Sequence, residues 1–343
     1  MRHLLNTLYV MTEEAWLSLD GENVVIQVEN RELGRFPLHG LEGIISFSYR
    51  GASSAFMGAC AERGIDLCFF KPSGRFLARV SGSVRGNVLL RKTQYRISEN
   101  STESIEIGKN MLMGKIYNAR WVLERATRDH SLSVDTGRLK ATSGTLKEAI
   151  IKIEHAESMD SLRGIEGNAA AEYFDVFNDL ILSNDEAFVF HGRSRRPPLD
   201  NVNAMLSFSY ALLARNCSAA LESVGLDPYV GFVHTDRPGR ESLALDLMEE
   251  LRPAFADRFV LSCINNRVVN AQMFEKTDSG AVVFNESGRR AFLKAWQERK
   301  KDSLTHPFLK EKIPWGLVPF VQALLLARFL RGDLDAYPPF FWK

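Results

Sequence analysis

Cysteines are few and none are paired at metal-binding spacing: Cys60, Cys68, Cys217 and Cys263 form no CxxC motif in 343 residues. That argues against zinc or iron–sulphur ligation and against a disulfide framework, and predicts reduced core thiols in a cytosolic protein. A long apolar run is missing too. The best stretch, LVPFVQALLLARFL at 317–330, is short and interrupted by Gln322 and Arg328, so it predicts a buried helix and no membrane span. The opening MRHLLNTLYVMTEEAW lacks the sustained apolar segment of a secretory signal. Net charge is nearly absent, with 43 Lys and Arg against 42 Asp and Glu giving +1. A polyanion would therefore be held by local patches and not by the field of the whole molecule. No internal repeat is evident.

What is present is an ordinary globular composition, 45% hydrophobic and 25% charged, in a chain long enough for two domains. Strand signals fill the first part: LNTLYVM, AWLSLDGENVVIQV with an Asp20-Gly21 hairpin turn, GIISFSY, IDLCFF and RFLARVSG. One helix interrupts them at 53–64, opened by Ser53 or Ser54 and closed by Gly64. After the polar ISENSTES the pattern turns helical, with helices expected over 109–130, 141–157, 161–183, 201–223, 240–251, 287–302 and 315–331 and a hairpin at 271–285. The expected fold is α+β: a small N-terminal β domain over 1–97, a linker at 98–104, and a larger, mostly α-helical domain over 105–343.

The chemistry concentrates in GFVHTDRPGRESLALDLMEELRP, residues 231–253. Leu243, Leu247 and Leu251 recur at helical spacing between Pro238-Gly239 and Pro253, so Asp246 and Glu249 emerge on one face, with Glu250 as an alternative second acid. His234 ends an apolar lead-in that the turn can fold over this acidic face. One imidazole and two carboxylates form a nitrogen and oxygen set suited to Mn²⁺ or Mg²⁺. The same residues equally describe a hydrogen-bonded structural histidine beside a solvated acidic face with Glu249 or Glu250 paired to Arg252.

Upstream, SLRGIEGNAAAEYFDVFNDLI at 161–181 surrounds Glu166 with small residues that allow close approach of a helix or ligand. The loop GRSRRPPLD leads into a helix capped by Asp200 or Asn201. Two basic runs stand out. From Lys71 to Ser98 there are Lys71, Arg75, Arg79, Arg85, Arg91, Lys92 and Arg96 without an acid, and GRRAFLKAWQERKK at 288–301 adds a second cluster. Such runs serve either as solubility faces or as phosphate tracks.

Four stretches, GNVLLRKTQY, RGIEGNAAAEYF, RRPPLDNVNAMLSFSYALL and GFVHTDRPGRESLALDLMEELRP, occur in this order along nearly the whole chain. The ordered set resembles the CRISPR-associated integrase, the endonuclease-like catalytic subunit of the spacer-acquisition complex, most closely its subtype I-C branch. The resemblance implies a homodimer formed largely by the β domains and a divalent metal site of Glu166, His234 and Asp246, with Glu249 as a further acid. It also implies Mg²⁺- or Mn²⁺-dependent insertion of spacer DNA into a CRISPR array by attack of a DNA 3′-hydroxyl on the repeat phosphodiester. Double-stranded DNA is then the substrate, with Arg91, Lys92, Arg195, Arg196, Arg237, Arg240, Arg289, Arg290, Arg299 and Lys300 as candidate phosphate contacts. Further implied partners are a small ferredoxin-like subunit bridging two dimers and, in the I-C branch, a RecB-like iron–sulphur exonuclease. DAYPPFFWK at the end offers aromatics for a protein contact, or for the core. The rival readings are a metal-dependent repair nuclease or phosphoesterase without integration, and a non-catalytic DNA-binding scaffold.

Overall fold

The computed structural model describes residues 6–71, 76–80, 82 and 88–343. The β part holds β1 (Thr7–Val10), β2 (Trp16–Asp20), β3 (Asn23–Val28), β4 (Arg31–Pro37), β5 (Gly43–Ser46), helix α1 (Ser54–Arg63), β6 (Asp66–Phe70) and β7 (Phe76–Val80). β2, β3 and β4 form an antiparallel meander, turning at Gly21 with φ 56°. β4 carries no apolar alternation, since nearly all its residues are exposed, and this hid it in the sequence. The second sheet has the order β1-β5-β6-β7; β5 runs parallel to β1 and β6, and β7 antiparallel to β6. α1 is the crossover between β5 and β6, capped by Ser53 through the Phe56 N–H and ended by Gly64 in the left-handed region, as the sequence predicts.

Leu17, Val24, Ile44, Phe56 and Leu67 close the core between the two sheets and α1. Strand alternation sends Ile45, Phe47, Cys68 and Phe70 the other way, into the core of the helical part. The two parts are therefore packed as one body.

The linker expected at 98–104 is a helix junction instead. α2 (Val88–Glu99) and α3 (Ser101–Asp129) are separated only by Asn100, whose side chain accepts from the Thr102 and Glu103 N–H groups at 3.0 and 3.3 Å. The polar run marks a cap, and Leu90 and Ile97 already sit in the helical core. The helical part thus begins at Val88. Arg75 and Arg85 of the first basic run lie outside the described residues.

Beyond α3 come α4 (Thr136–Glu154), α5 (Met159–Asp175), α6 (Asn201–Ser223), α7 (Ser242–Glu249), a π-helical turn at Arg252–Asp257, α8 (Arg258–Asn265), α9 (Glu286–Lys301) and α10 (Val318–Leu330). The expected hairpin is present at Phe274–Lys276 and Val282–Phe284. Pro253 reads as a stop, but the chain absorbs it at the start of the π-helical turn, where a missing N–H costs little, and continues into α8. All four cysteines are buried thiols. Among the described residues no helix is long and apolar enough to cross a membrane. Phe340 and Trp342 are buried and only Phe341 is partly exposed. The final aromatics therefore complete the core.

Candidate active site

The loop that carries His234 is shaped by one carboxylate. Asp246, on α7 and fully buried, accepts at Oδ2 from the N–H groups of Phe232 at 2.7 Å and Val233 at 3.0 Å. Its Oδ1 accepts from the His234 N–H at 2.9 Å and from the imidazole Nδ1 at 2.6 Å. Gly231 is required for this approach: a Cβ there would lie 2.8 Å from Asp246 Oδ2 and 2.8 Å from Ser242 Cβ. From the opposite side Arg163 of α5 donates to the Val233 carbonyl at 2.6 and 3.1 Å and to Thr235 Oγ1 at 3.1 Å. The loop is thus clamped between α5 and α7.

With Nδ1 hydrogen-bonded to Asp246, the ring turns its Nε2 toward Glu249. Nε2 lies 3.7 Å from Glu249 Oε1. Glu249 is buried and flanked by Arg252 Nη1 at 3.0 Å and Lys115 Nζ at 2.7 Å. Burial alone would raise its pKa, but Arg252, Lys115 and His234 outweigh that and hold it down at about 2. Glu249 Oε2 is buried without an aligned hydrogen bond, although the Lys115 ammonium is its neighbour. Lys115 also pairs with Glu166, three residues after Arg163 on α5.

The structure therefore joins Glu166 and Glu249 through Lys115, sets His234 Nε2 beside the other oxygen of Glu249, and places Asp246 behind the imidazole with its four hydrogen bonds already in place. Among the described residues no group of three or more His, Cys, Asp or Glu side chains stands close enough to hold a metal ion as arranged; the Lys115 ammonium lies between the two glutamates. Glu250 points away into the core, bonded by Tyr337, Gln322 and the Phe340 N–H.

A cleft of about 510 Å³ opens beside Glu166, lined by Gly167, Ala170, Ala171, Phe174, Arg193 and Arg195 among others. Arg193 is spent on structure, donating to Asn203 Oδ1 at 2.6 Å and to the Ser194 carbonyl at 2.5 Å. Arg195 and Arg196 are exposed. Tyr210 lies between the Arg193 and Arg252 guanidinium groups, 5.3 and 5.0 Å from its ring centre, and donates to Asp257 at 2.6 Å. Burial pushes Asp257 up to about 6.

The other basic candidates scatter. Arg237 is exposed and Arg240 half-buried on the turn after His234. Arg91 lines a separate cleft with Arg79, Asp227 and Tyr229, and Lys92 is exposed beside it. Arg290 is exposed, and Arg299 pairs with Asp302 at 3.0 Å over the Trp315 ring. Arg289 and Lys300 are corrections to the phosphate-contact expectation. Arg289 is 3% exposed with its guanidinium 5.1 Å from the Phe47 ring centre, and Lys300 is 5% exposed with Nζ 3.4 Å from Thr7 Oγ1. Both join the helical part to the β part. Lys115 and Arg163 escaped the sequence reading because each is a lone basic residue within a helical pattern. Arg252 carried a local signal, three residues from Glu249, and the pairing expected from it is present at 3.0 Å, on a buried and not a solvated face.

A family model described as CRISPR associated protein Cas1 matches residues 8–298. The CRISPR-associated endonuclease Cas1 2 of Rhodospirillum rubrum is 52% identical over 351 aligned residues, covering 100% of both chains. A CRISPR-associated exonuclease Cas4/endonuclease Cas1 fusion of Geobacter sulfurreducens is 34% identical across 97% of this chain and 60% of the fusion. Among solved structures, a casposase bound to integration product has a TM-score of 0.83 at 22% identity, over 96% of this chain and 92% of that one, a likeness of fold. The chain belongs to the Cas1 family of CRISPR-associated proteins.

Proposed function

We propose that this protein is a divalent-metal-dependent DNA integrase and endonuclease that inserts spacer DNA into a CRISPR array, with Glu166, His234 Nε2 and Glu249 as the ligands of Mg²⁺ or Mn²⁺. The observation that carries it is the grouping of these donors: Glu166 and Glu249 share the Lys115 ammonium, His234 Nε2 lies 3.7 Å from Glu249 Oε1, and a cleft lined by Arg193 and Arg195 opens beside Glu166. Asp246 moves from the ligand set to a positioning role, since its oxygens already accept four hydrogen bonds. The donor set fits a hard divalent cation: two carboxylates and a neutral imidazole whose other nitrogen is fixed by an acid behind it. When bound there, such a cation lowers the pKa of an attacking hydroxyl, polarises the phosphoryl oxygen and steadies the leaving oxygen.

The chain's own residues do the rest. Arg252 orients Glu249, Asp246 fixes the His234 ring, and Arg195 and Arg196 neutralise phosphates entering the cleft. A DNA 3′-oxygen forms a bond to phosphorus, its proton passes to solvent, and the original P–O bond breaks to leave a new 3′-hydroxyl. One phosphodiester replaces another, so joining needs no ATP; with water as nucleophile the same centre cuts DNA.

The I-C assignment, the small bridging subunit and the RecB-like exonuclease belong to the same proposal, the exonuclease supported by the fused Cas4 relative. A homodimer through the β part is supported by Trp16, Leu33 and Phe36, which stay exposed on the meander. The test is strand transfer of a labelled oligonucleotide into supercoiled plasmid with Mn²⁺. Wild type joins the label, whereas His234→Ala and Glu249→Gln do not. Near-normal joining by either variant refutes the ligand set, and nicking without joining favours a nuclease.

A further inference from the structure

The position of Lys115 carries a further conclusion, which rests on the reading of Glu166, His234 and Glu249 as cation ligands. The two carboxylates of that set, Glu166 and Glu249, are already matched by Lys115 and Arg252. That pairing leaves neither carboxylate free for a metal ion. Water screens it little, because the side chains of Lys115, Glu249 and Arg252 are 14%, 5% and 16% exposed. A divalent cation added here meets the two positive charges that already hold its ligands. Position points the same way. Lys115 Nζ bridges Glu166 and Glu249, 2.7 Å from Glu249 Oε2, and so occupies the place between the two carboxylates that a cation would take. The adjoining cleft of about 510 Å³ contains Glu166 and Arg195 and is where a phosphodiester has room.

We propose that Lys115 makes cation loading conditional on DNA: its ammonium holds Glu166 and Glu249 together in place of a metal ion, and yields them when a DNA phosphate arrives to pair with it. Off DNA the protein is then a poor metal binder, which restrains stray nicking. The coupling is reciprocal, so the cation tightens DNA binding by the same factor.

The test measures Mn²⁺ binding to the full-length protein by the electron paramagnetic resonance signal of free Mn²⁺. Binding is compared without DNA, with a short duplex, and with the same duplex carrying uncharged methylphosphonate linkages. Titrations of each duplex alone and of His234→Ala serve as blanks. The phosphate duplex is expected to tighten binding by wild type about ten-fold or more, and the neutral duplex not at all. Lys115→Met is expected to bind Mn²⁺ without DNA about ten-fold more tightly than wild type and to lose most of the DNA dependence. If wild type binds Mn²⁺ through His234 equally well with and without the phosphate duplex, the coupling is refuted while the ligand reading stands. A folded Lys115→Met that binds no more tightly refutes it too. If neither protein binds Mn²⁺ under any condition, the ligand reading fails and takes the coupling with it. The duplex comparison on wild type decides the matter even if the variant does not fold.

Discussion

Asp246 shows how far a residue's neighbours redefine its role. Its spacing to Glu249 marks a ligand pair, yet its burial and four donors make it the residue that builds the His234 loop. Removing it strands the buried N–H groups of Phe232 and Val233, leaves the half-buried His234 N–H without its acceptor and frees the imidazole. Asp246→Ala is therefore expected to lower stability by about 3 kcal/mol, as well as to stop strand transfer, because each unsatisfied buried donor costs about 1 kcal/mol or more. Urea unfolding checks this; stability unchanged to within about 0.5 kcal/mol, the range of ordinary surface substitutions, returns Asp246 to the ligand set. The sequence could rank these acids as a pair but not separate them. What separates them is Gly231, whose missing Cβ admits the loop onto the carboxylate, and that contact joins residues 15 apart.

At the scale of elements, the segment Tyr337–Trp342 is fastened beneath the end of α7. Glu250, next to Glu249, accepts from Tyr337, from Gln322 and from the Phe340 N–H at 2.7 Å, while Asn118 of α3 bridges the Glu250 and Phe340 carbonyls at 2.6 and 2.7 Å. Gly114 lets this group lie against α3; a Cβ there would come within 3.0 Å of Glu250 Cβ. Burial pushes Glu250 up to about 7, only partly opposed by its three donors. A carboxyl with a raised pKa is held protonated by the folded state. Its contribution is therefore complete below the unfolded value near 4.5 and declines as pH rises through about 7. Wild type is expected to lose stability across that window, and Glu250→Gln to flatten the loss; parallel melting-temperature profiles for the two proteins over pH 4.5 to 8 contradict it. Helices α4, α6, α9 and α10 were legible because their apolar spacing and caps are local. α8 was not, because Pro253 signals a stop that only the π-helical turn overrides.

At the scale of the whole molecule, two clusters of basic residues that look alike in sequence do different work. Arg195 and Arg196 are exposed on the loop before α6, with Arg195 lining the cleft beside Glu166. Arg289 and Lys300, in the run GRRAFLKAWQERKK, instead face the β part through Phe47 and Thr7. The charge run is visible in the sequence, but which face of α9 is covered depends on a sheet more than 200 residues earlier. Local periodicity cannot supply that. The consequence is a split between binding and stability. Arg195→Ala with Arg196→Ala is expected to flatten the dependence of log affinity for duplex DNA on log salt by about 0.9 per lost phosphate contact while leaving unfolding unchanged. Arg289→Ala or Lys300→Ala is expected to do the reverse, lowering the unfolding midpoint through a loosened junction and leaving the slope as it was. Fluorescence anisotropy over a salt series, run beside thermal unfolding of the same proteins, separates the two roles. A flattened slope for Lys300→Ala without loss of stability places that lysine on the DNA face and undoes the division drawn here.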